Sequence, residues 1–213
     1  MGRYDPLAQL LLEVLKEGGN VKKDVVSIPV GISNRHIHLS QRDLNTLFGM
    51  GYQLTKMKDL SQPMQYACQE TVIICGPKGA IEKVRILGPV RSETQVEILQ
   101  GDSFKLGIKA PVKMSGDLQG TPGITVIGPK GSVQLSQGVI IAQRHIHMTL
   151  EDAKNLSVAD GELVTIQISG IRGGTYSNVL IRANNNSTLE CHLDTEEANA
   201  ICLETSSRIT IIK

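Results

Sequence analysis

Residues 30–40, VGISNRHIHLS, and residues 139–149, VIIAQRHIHMT, are two copies of one pattern. An offset of 109 residues carries His36 onto His145; it also pairs Val30 with Val139, Ile32 with Ile141, Ser40 with Thr149, Asp43 with Asp152 and Leu47 with Leu156. Each copy reads as a strand, an Arg-His-Ile-His segment and a helix opening of the form Ser/Thr-x-x-Asp. In that opening the hydroxyl caps the helix and the acid sits in its first turn. Duplication with pseudo-symmetry is the simplest account. It predicts two related half-sites that face one another, each bringing a pair of histidines.

Outward from the two copies, the texture is short strands. VVSIPVGI, TVIICG, KVRILGPV, TQVEIL, GITVIG, SVQLSQGVIIA, LVTIQI, NVLIRA and RITIIK are rich in Val, Ile and Thr and are punctuated by Gly and Pro. So many short strands with few helices predict a mainly β protein built from barrels or sandwiches. Gly76-Pro77-Lys78-Gly79 and Gly128-Pro129-Lys130-Gly131 repeat one tight turn. A plain hairpin turn is favoured there, with Pro at the second position; a phosphate cradle is the rival reading.

The chain has 5 His, and the two RHIH copies use four of them. Imidazole is the commonest metal ligand, and His-x-His on a strand puts both rings on one face. Packing alone has no reason to repeat a His at i and i+2 in duplicate, so a metal site is the preferred reading. Ile37 and Ile146 point to the opposite face, as buried anchors should. Arg35 and Arg144 open the two copies; anion contacts and strand-end ion pairs are equally open readings for them. The fifth histidine, His192, lies where a strand runs into an Asp-Thr-Glu-Glu helix start. Two metals with three protein ligands each need a sixth donor. Glu97 is the candidate, on a strand whose polar face carries Arg91, Glu93, Gln95 and Glu97. Cys191 is a rival soft ligand that faces away from His192.

Composition excludes several classes. The chain is 213 residues long, with formal net charge +1, 3% aromatics and no Trp. Nothing there suits a nucleic-acid partner that needs basic patches and stacking faces. No apolar stretch reaches the roughly 18 residues of a membrane span, and the N-terminus lacks a secretory signature. Cys68, Cys75, Cys191 and Cys202 form no CxxC and read as reduced thiols of a cytoplasmic protein. Residues 5–17, DPLAQLLLEVLKE, predict an amphipathic helix capped by Asp5 and ended by Gly18-Gly19, with a polar linker to residue 24. It either packs on its own domain or docks elsewhere.

The segments NRHIHLS, GPVRSETQVEI, APVKMSGDL, GVIIAQRHIHM and CHLDTEEANA together resemble the phosphate propanoyltransferases, the phosphotransacylases of bacterial microcompartments and of some cytosolic fermentations. The likeness runs from about Pro29 to Ala200. It implies two related β-barrel domains capped by short α-helices. It implies reversible transfer of a short acyl group, propanoyl or acetyl, between coenzyme A and inorganic phosphate at a dinuclear zinc site. The family's ligands fall on His36, His38, Glu97, His145, His147 and His192, with two zinc ions per chain, and its phosphate-binding arginine falls on Arg91. One departure is Glu196, where the family pattern leads one to expect Asp. The likeness also implies intertwined domains: residues 25–34 with 143–213 as one barrel, 35–142 as the other, and 1–24 as helix and linker. Sequence pattern alone suggests a sequential split near residue 130. Residues 1–20 resemble the encapsulation peptides that dock some members to a microcompartment shell or core, so the expected location is cytoplasm or microcompartment lumen. A homo-oligomer is expected.

No Ser-His-acid constellation is present, so direct attack of phosphate on the thioester is the expected chemistry, with metal electrostatics and positioning carrying the rate. An acyl-enzyme on Cys191 is the minor alternative. Two other classes compete: a different dizinc metalloenzyme such as a hydrolase, and a non-catalytic zinc-binding module. Structural zinc sites are usually closed four-ligand cages, whereas three ligands per metal leave positions open.

Overall fold

The computed structural model describes residues 26–204 and 206–212. The amphipathic segment at residues 5–17, expected either to pack on its own domain or to dock elsewhere, lies outside them. In chain order the described elements are strands β1 (Ile28–Ser33) and β2 (His36–His38), helix α1 (Gln41–Phe48), then β3 (Lys56–Asp59), β4 (Tyr66–Cys75), β5 (Ala80–Gly88) and β6 (Gln95–Glu97). Helix α2 (Gln100–Leu106) follows, then β7 (Val112–Lys113), β8 (Thr125–Ile127), β9 (Ser132–Gln134), β10 (Val139–Ala142) and β11 (His145–Met148). The chain continues through helix α3 (Leu150–Leu156), β12 (Leu163–Ile168), β13 (Gly174–Ala183), β14 (Glu190–Asp194), helix α4 (Thr195–Ala200) and β15 (Arg208–Ile212).

The mainly β reading holds. Six strands close into a barrel in the order β1-β14-β11-β13-β12-β15. The others form a curled half-barrel sheet ordered β7-β10-β6-β2-β5-β4-β8-β9, with β3 paired to β4. The duplicated elements trade places between these sheets. β1 precedes the first RHIH copy, yet it pairs in parallel with β14, Val30 opposite Cys191. β10 precedes the second copy and pairs in parallel with β6, Val139 opposite Val96. Each half thus lends the strand before its histidines to the strand that faces the other half's histidines.

Two apolar clusters underlie the two sheets. One gathers Ile37, Leu39, Leu47, Val84, Ile86, Val96 and Val139. The other gathers Ile28, Val30, Ile146, Met148, Ile166, Ile181 and Cys191. Ile37 and Ile146, the middle residues of the two RHIH copies, are both fully buried. Burying each is worth about 1.5–3 kcal/mol. This anchorage fixes the pleat and so turns the flanking histidines to the opposite face.

The two hydroxyl N-caps form as the sequence predicts, and the second closes a full capping box. Ser40 Oγ accepts the Asp43 amide at 3.1 Å and Thr149 Oγ1 accepts the Asp152 amide at 3.0 Å. Asp152 returns the bond to the Thr149 amide, also at 3.0 Å. Both GPKG segments are hairpin turns, closed by Gly76 N to Gly79 O and Gly128 N to Gly131 O, each 2.9 Å. The amide of Lys78 then donates to Leu106 O near the end of α2, and that of Lys130 donates to Leu47 O near the end of α1. These turns stop helix ends, which is why glycine opens them: a Cβ on Gly76 would lie 2.3 Å from Leu106 O, and one on Gly128 2.6 Å from Leu47 O.

Candidate metal centre

The strand registers assemble two matching triads. β2 runs antiparallel to β6 with His36 opposite Glu97, Ile37 opposite Val96 and His38 opposite Gln95. β11 runs antiparallel to β14 with His145 opposite His192, Ile146 opposite Cys191 and His147 opposite Glu190. The third donor in each half therefore holds the same position, across the strand pair from the first histidine. The donor atoms of His36, His38 and Glu97 lie within 4.8 Å of one another, and so do those of His145, His147 and His192. All six residues border one cavity of about 410 Å³ between the halves, lined also by Gly31, Leu87, Arg91, Ser115, Arg182 and Glu190.

Ring orientations follow from local hydrogen bonds. His36 Nδ1 lies 2.8 Å from Asn34 O, and His145 Nδ1 lies 2.8 Å from Gln143 O. A carbonyl can only accept, so Nδ1 carries the proton in each ring and the Nε2 lone pair turns into the cavity. His145 Nε2 stands 3.1 Å from His147 Nε2. His36 Nε2 stands 3.4 Å from Glu97 Oε2. Two ligands on one tetrahedral ion at Zn–N of about 2.0–2.1 Å are roughly 3.3 Å apart, so both spacings suit a shared cation. In the second triad the ring centroids lie 4.7–5.0 Å apart, edge to face, which converges three imidazoles on one point.

The electrostatics also favour ligation. Burial, then the charge of neighbouring groups, lowers His38 to about 3, His145 to about 4 and His147 to about 3. The Nδ1 atoms of His38 and His147 are buried and make no hydrogen bond of normal geometry among the described residues. Neutral imidazole is the ligating form. For His36, burial opposes charge, but Glu97 outweighs it and holds the ring above its ordinary value. Burial pushes the Glu97 carboxyl up, and His36 then pulls it far below the usual carboxylate range. The ring and the carboxylate thus attract one another across 3.4 Å. The residues present fit two divalent ions that accept nitrogen and oxygen ligands.

Arg91 lines the same cavity. Its Nη1 donates to Ser115 Oγ at 2.9 Å, and Gln95 Nε2 donates to the same oxygen at 2.8 Å. With both lone pairs engaged, the Ser115 hydroxyl proton is left to donate elsewhere. Gln95 Nε2 also donates to Glu97 Oε1 at 2.6 Å, and its Oε1 accepts the Gly116 amide at 2.7 Å. One network therefore ties Arg91 to the third donor of the first triad.

The two RHIH arginines have a structural role. Arg35 Nε donates to Asp102 at 2.7 Å, and Arg144 Nε pairs with Glu197. Each acid is the third residue of the helix that follows a third-donor strand: Asp102 accepts the Leu99 amide, and Glu197 accepts the Asp194 amide. The ion pairs tie each RHIH strand to that helix, as the strand-end reading expects. Cys191 is fully buried among apolar neighbours, and burial followed by nearby carboxylates pushes its thiol up to about 12. Glu196 accepts the Gly101 amide from outside the triads. Two cavity residues escaped the sequence reading. Glu190 Oε2 lies 2.6 Å from His192 Nε2 and also accepts from Ser61; its position two residues before His192 on one strand was the available signal. Arg182 stands in register with His147 on β13, a pairing that no local pattern announces.

Comparison with known proteins follows the same line. The profile of the family described as phosphate propanoyltransferase (PTAC) matches residues 29–204. The phosphate propanoyltransferase of Thermotoga maritima is 56% identical over 187 residues, covering 87% of this chain and 89% of the relative. That of Clostridioides difficile is 47% identical, covering 97% of this chain and 99% of the relative. That of Enterococcus faecalis is 42% identical over the full length of both.

Proposed function

Since the chain belongs to the phosphate propanoyltransferase family, an acyltransferase family, we propose that it moves a short acyl group, propanoyl or acetyl, reversibly between coenzyme A and inorganic phosphate at a dinuclear zinc site. The single observation that carries this reading is the pair of register-matched donor triads on one cavity. His36, His38 and Glu97 would hold one zinc ion, and His145, His147 and His192 the other. Bound there, zinc supplies Lewis acidity toward a carbonyl or phosphoryl oxygen.

In the forward direction a phosphate oxygen attacks the thioester carbonyl carbon. The C–O bond forms, the C–S bond breaks, and the thiolate leaves with the electron pair; acyl phosphate is the product. The chain's contribution is placement. Arg91 offers a planar fork that stays charged and suits a phosphate, and Ser115, accepting twice, keeps its hydroxyl proton to donate beside it. Glu97, held by Gln95, keeps its carboxylate fixed in the triad instead of turning to Arg91. Cys191 stays protonated and buried, which supports direct transfer over an acyl-enzyme. The same reading groups the stretch ending at residue 34 with 143–213 as one domain and 35–142 as the other, supported by apolar clusters that divide at those points.

The test is CoA release from propanoyl-CoA with and without phosphate, with metal content measured on the same sample. Phosphate-dependent release with two zinc ions per chain is expected. Release independent of phosphate would point to a thioester hydrolase and overturn the proposal, as would a fully metallated protein with no turnover.

A further inference from the structure

Arg182 breaks the pseudo-symmetry of the site. β11 and β13 pair in parallel with Ile146 opposite Ile181 and His147 opposite Arg182. β2 and β5 pair in parallel with Ile37 opposite Ile86, and continuing that register sets Leu87 beside His38. Neighbours across paired strands share a face and lie about 4.8 Å apart. An apolar side chain therefore flanks the last histidine of the first triad, and a guanidinium flanks its counterpart in the second. Both Leu87 and Arg182 line the central cavity.

The charge of Arg182 is unanswered. No carboxylate of the described residues forms an ion pair with it, although Arg35 and Arg144 both have such partners. A polar recess of about 240 Å³ opens beside His147, bordered by Arg91, Arg182, Ser115, Asn184 and Asn186. Arg91 comes from one half and Arg182 from the other. Burial and the charge of Arg182 both weigh on the Arg91 guanidinium, against the pull of Glu97. Two cations with free donors that converge on one recess, with no acid between them, are best accommodated by an anion of charge near −2.

We propose that Arg182 and Arg91 form a two-armed clamp for the phosphoryl group of inorganic phosphate or acyl phosphate, seated in the recess beside His147, with the thioester acyl chain toward Leu87. This rests on the phosphotransacylase reading. It assigns a second arginine to phosphate and a direction to the site: anion on the Arg182 side, acyl chain on the Leu87 side.

The experiment uses the zinc-loaded full chain and its Arg182→Gln and Arg182→Lys variants, with phosphate and propanoyl-CoA varied independently. Losing one charge-assisted contact should raise the phosphate KM of Arg182→Gln about 10- to 100-fold, with the propanoyl-CoA KM within about twofold and kcat little changed at saturating phosphate. Arg182→Lys, a point charge without the fork, should fall between wild type and Arg182→Gln. Calorimetric titration of inorganic phosphate without acyl-CoA should show the same loss of affinity. An unchanged phosphate KM and affinity in Arg182→Gln, or an equal rise in both KM values, overturns the clamp. If Arg182→Gln does not fold, the ratio of the two KM values in Arg182→Lys decides. Wild-type enzyme without phosphate-dependent turnover would sink the activity itself, while the phosphate titration would still judge Arg182.

Discussion

Gly31→Ala is a one-carbon change with a site-selective consequence. Gly31 belongs to β1, the exchanged strand, and pairs directly opposite His192. A Cβ there would lie 2.8 Å from both Cδ and Oε2 of Glu190 and 3.0 Å from Cδ2 of His192. Such approaches are well inside van der Waals contact, so something must move. The Glu190 carboxylate is the end of a flexible side chain and yields first. It then gives up its contacts to Ser61 and to His192, the latter 2.6 Å long. Loss of a carboxylate that orients a ligating imidazole typically weakens metal binding about 10- to 100-fold, and the overpacking costs about 1–3 kcal/mol of stability. The duplication supplies its own control, because the equivalent position beside Glu97 already carries a buried side chain, Ile140. Chelator competition on the zinc-loaded variant should therefore show one ion released at the wild-type affinity and the other about 10- to 100-fold more readily. Glu190→Ala should have a similar effect, and the double variant should be little worse than either single, since both act through one carboxylate. Two ions with wild-type affinity in Gly31→Ala, or additive losses in the double variant, would refute the chain of contact from Gly31 through Glu190 to His192.

Further outcomes follow from the same geometry. His145→Ala should reduce zinc from two per chain to one, by elemental analysis, since it removes a donor from one triad only; loss of both ions would mean that the triads are not separate. Arg144→Met should cost about 1–3 kcal/mol in urea unfolding, because it abandons Glu197, the Ser177 carbonyl and the Tyr176 ring face; phosphate KM should be unchanged, and a selective rise in it would restore the anion-contact role. Metal-free protein should lose stability as pH falls below about 6.5. His38, His145 and His147 are held low in the fold, so the unfolded chain takes up their protons first, and the loss should level off near the folded values of about 3 to 4. Depressed Glu97 adds to the loss at lower pH, while raised His36 opposes it with stability present below about 6.5. A flat or rising stability between pH 7 and 5 in urea titrations would contradict that balance.

Much of the site was legible because its signals are local. The i, i+2 spacing of His36 with His38 and of His145 with His147 needs only the period of a strand, and the capping boxes need only three residues. Glu97 and His192 were reached by counting donors and by strand-face alternation; that they occupy one equivalent position emerges only from the registers. What escaped depends on pairing between distant strands. The exchange of β1 and β10 is implied by the family likeness alone: both look like the opening strands of their own halves, and nothing in VGIS or VIIA announces that each pairs with the other half's third-donor strand. Arg182 reads as an ordinary charge in NVLIRA until β13 sets it beside His147. Closure of one sheet and curling of the other follow from long-range pairing in the same way.

The exchange of β1 and β10 also explains why a duplicated chain can hold an asymmetric site. Because β1 lies along β14 and β10 along β6, each triad is walled by backbone from the other half. A substitution on one exchanged strand then alters one triad alone: glycine at position 31 leaves room for the Glu190 carboxylate beside His192, whereas Ile140 fills the matching space beside Glu97. On β13 and β5, which are not exchanged, the sequence itself places Arg182 beside one triad and Leu87 beside the other. Two donor triads with matching registers thus face one cavity with different neighbours, one charged and one apolar, as the proposed transfer of an acyl group from a thioester to phosphate would use.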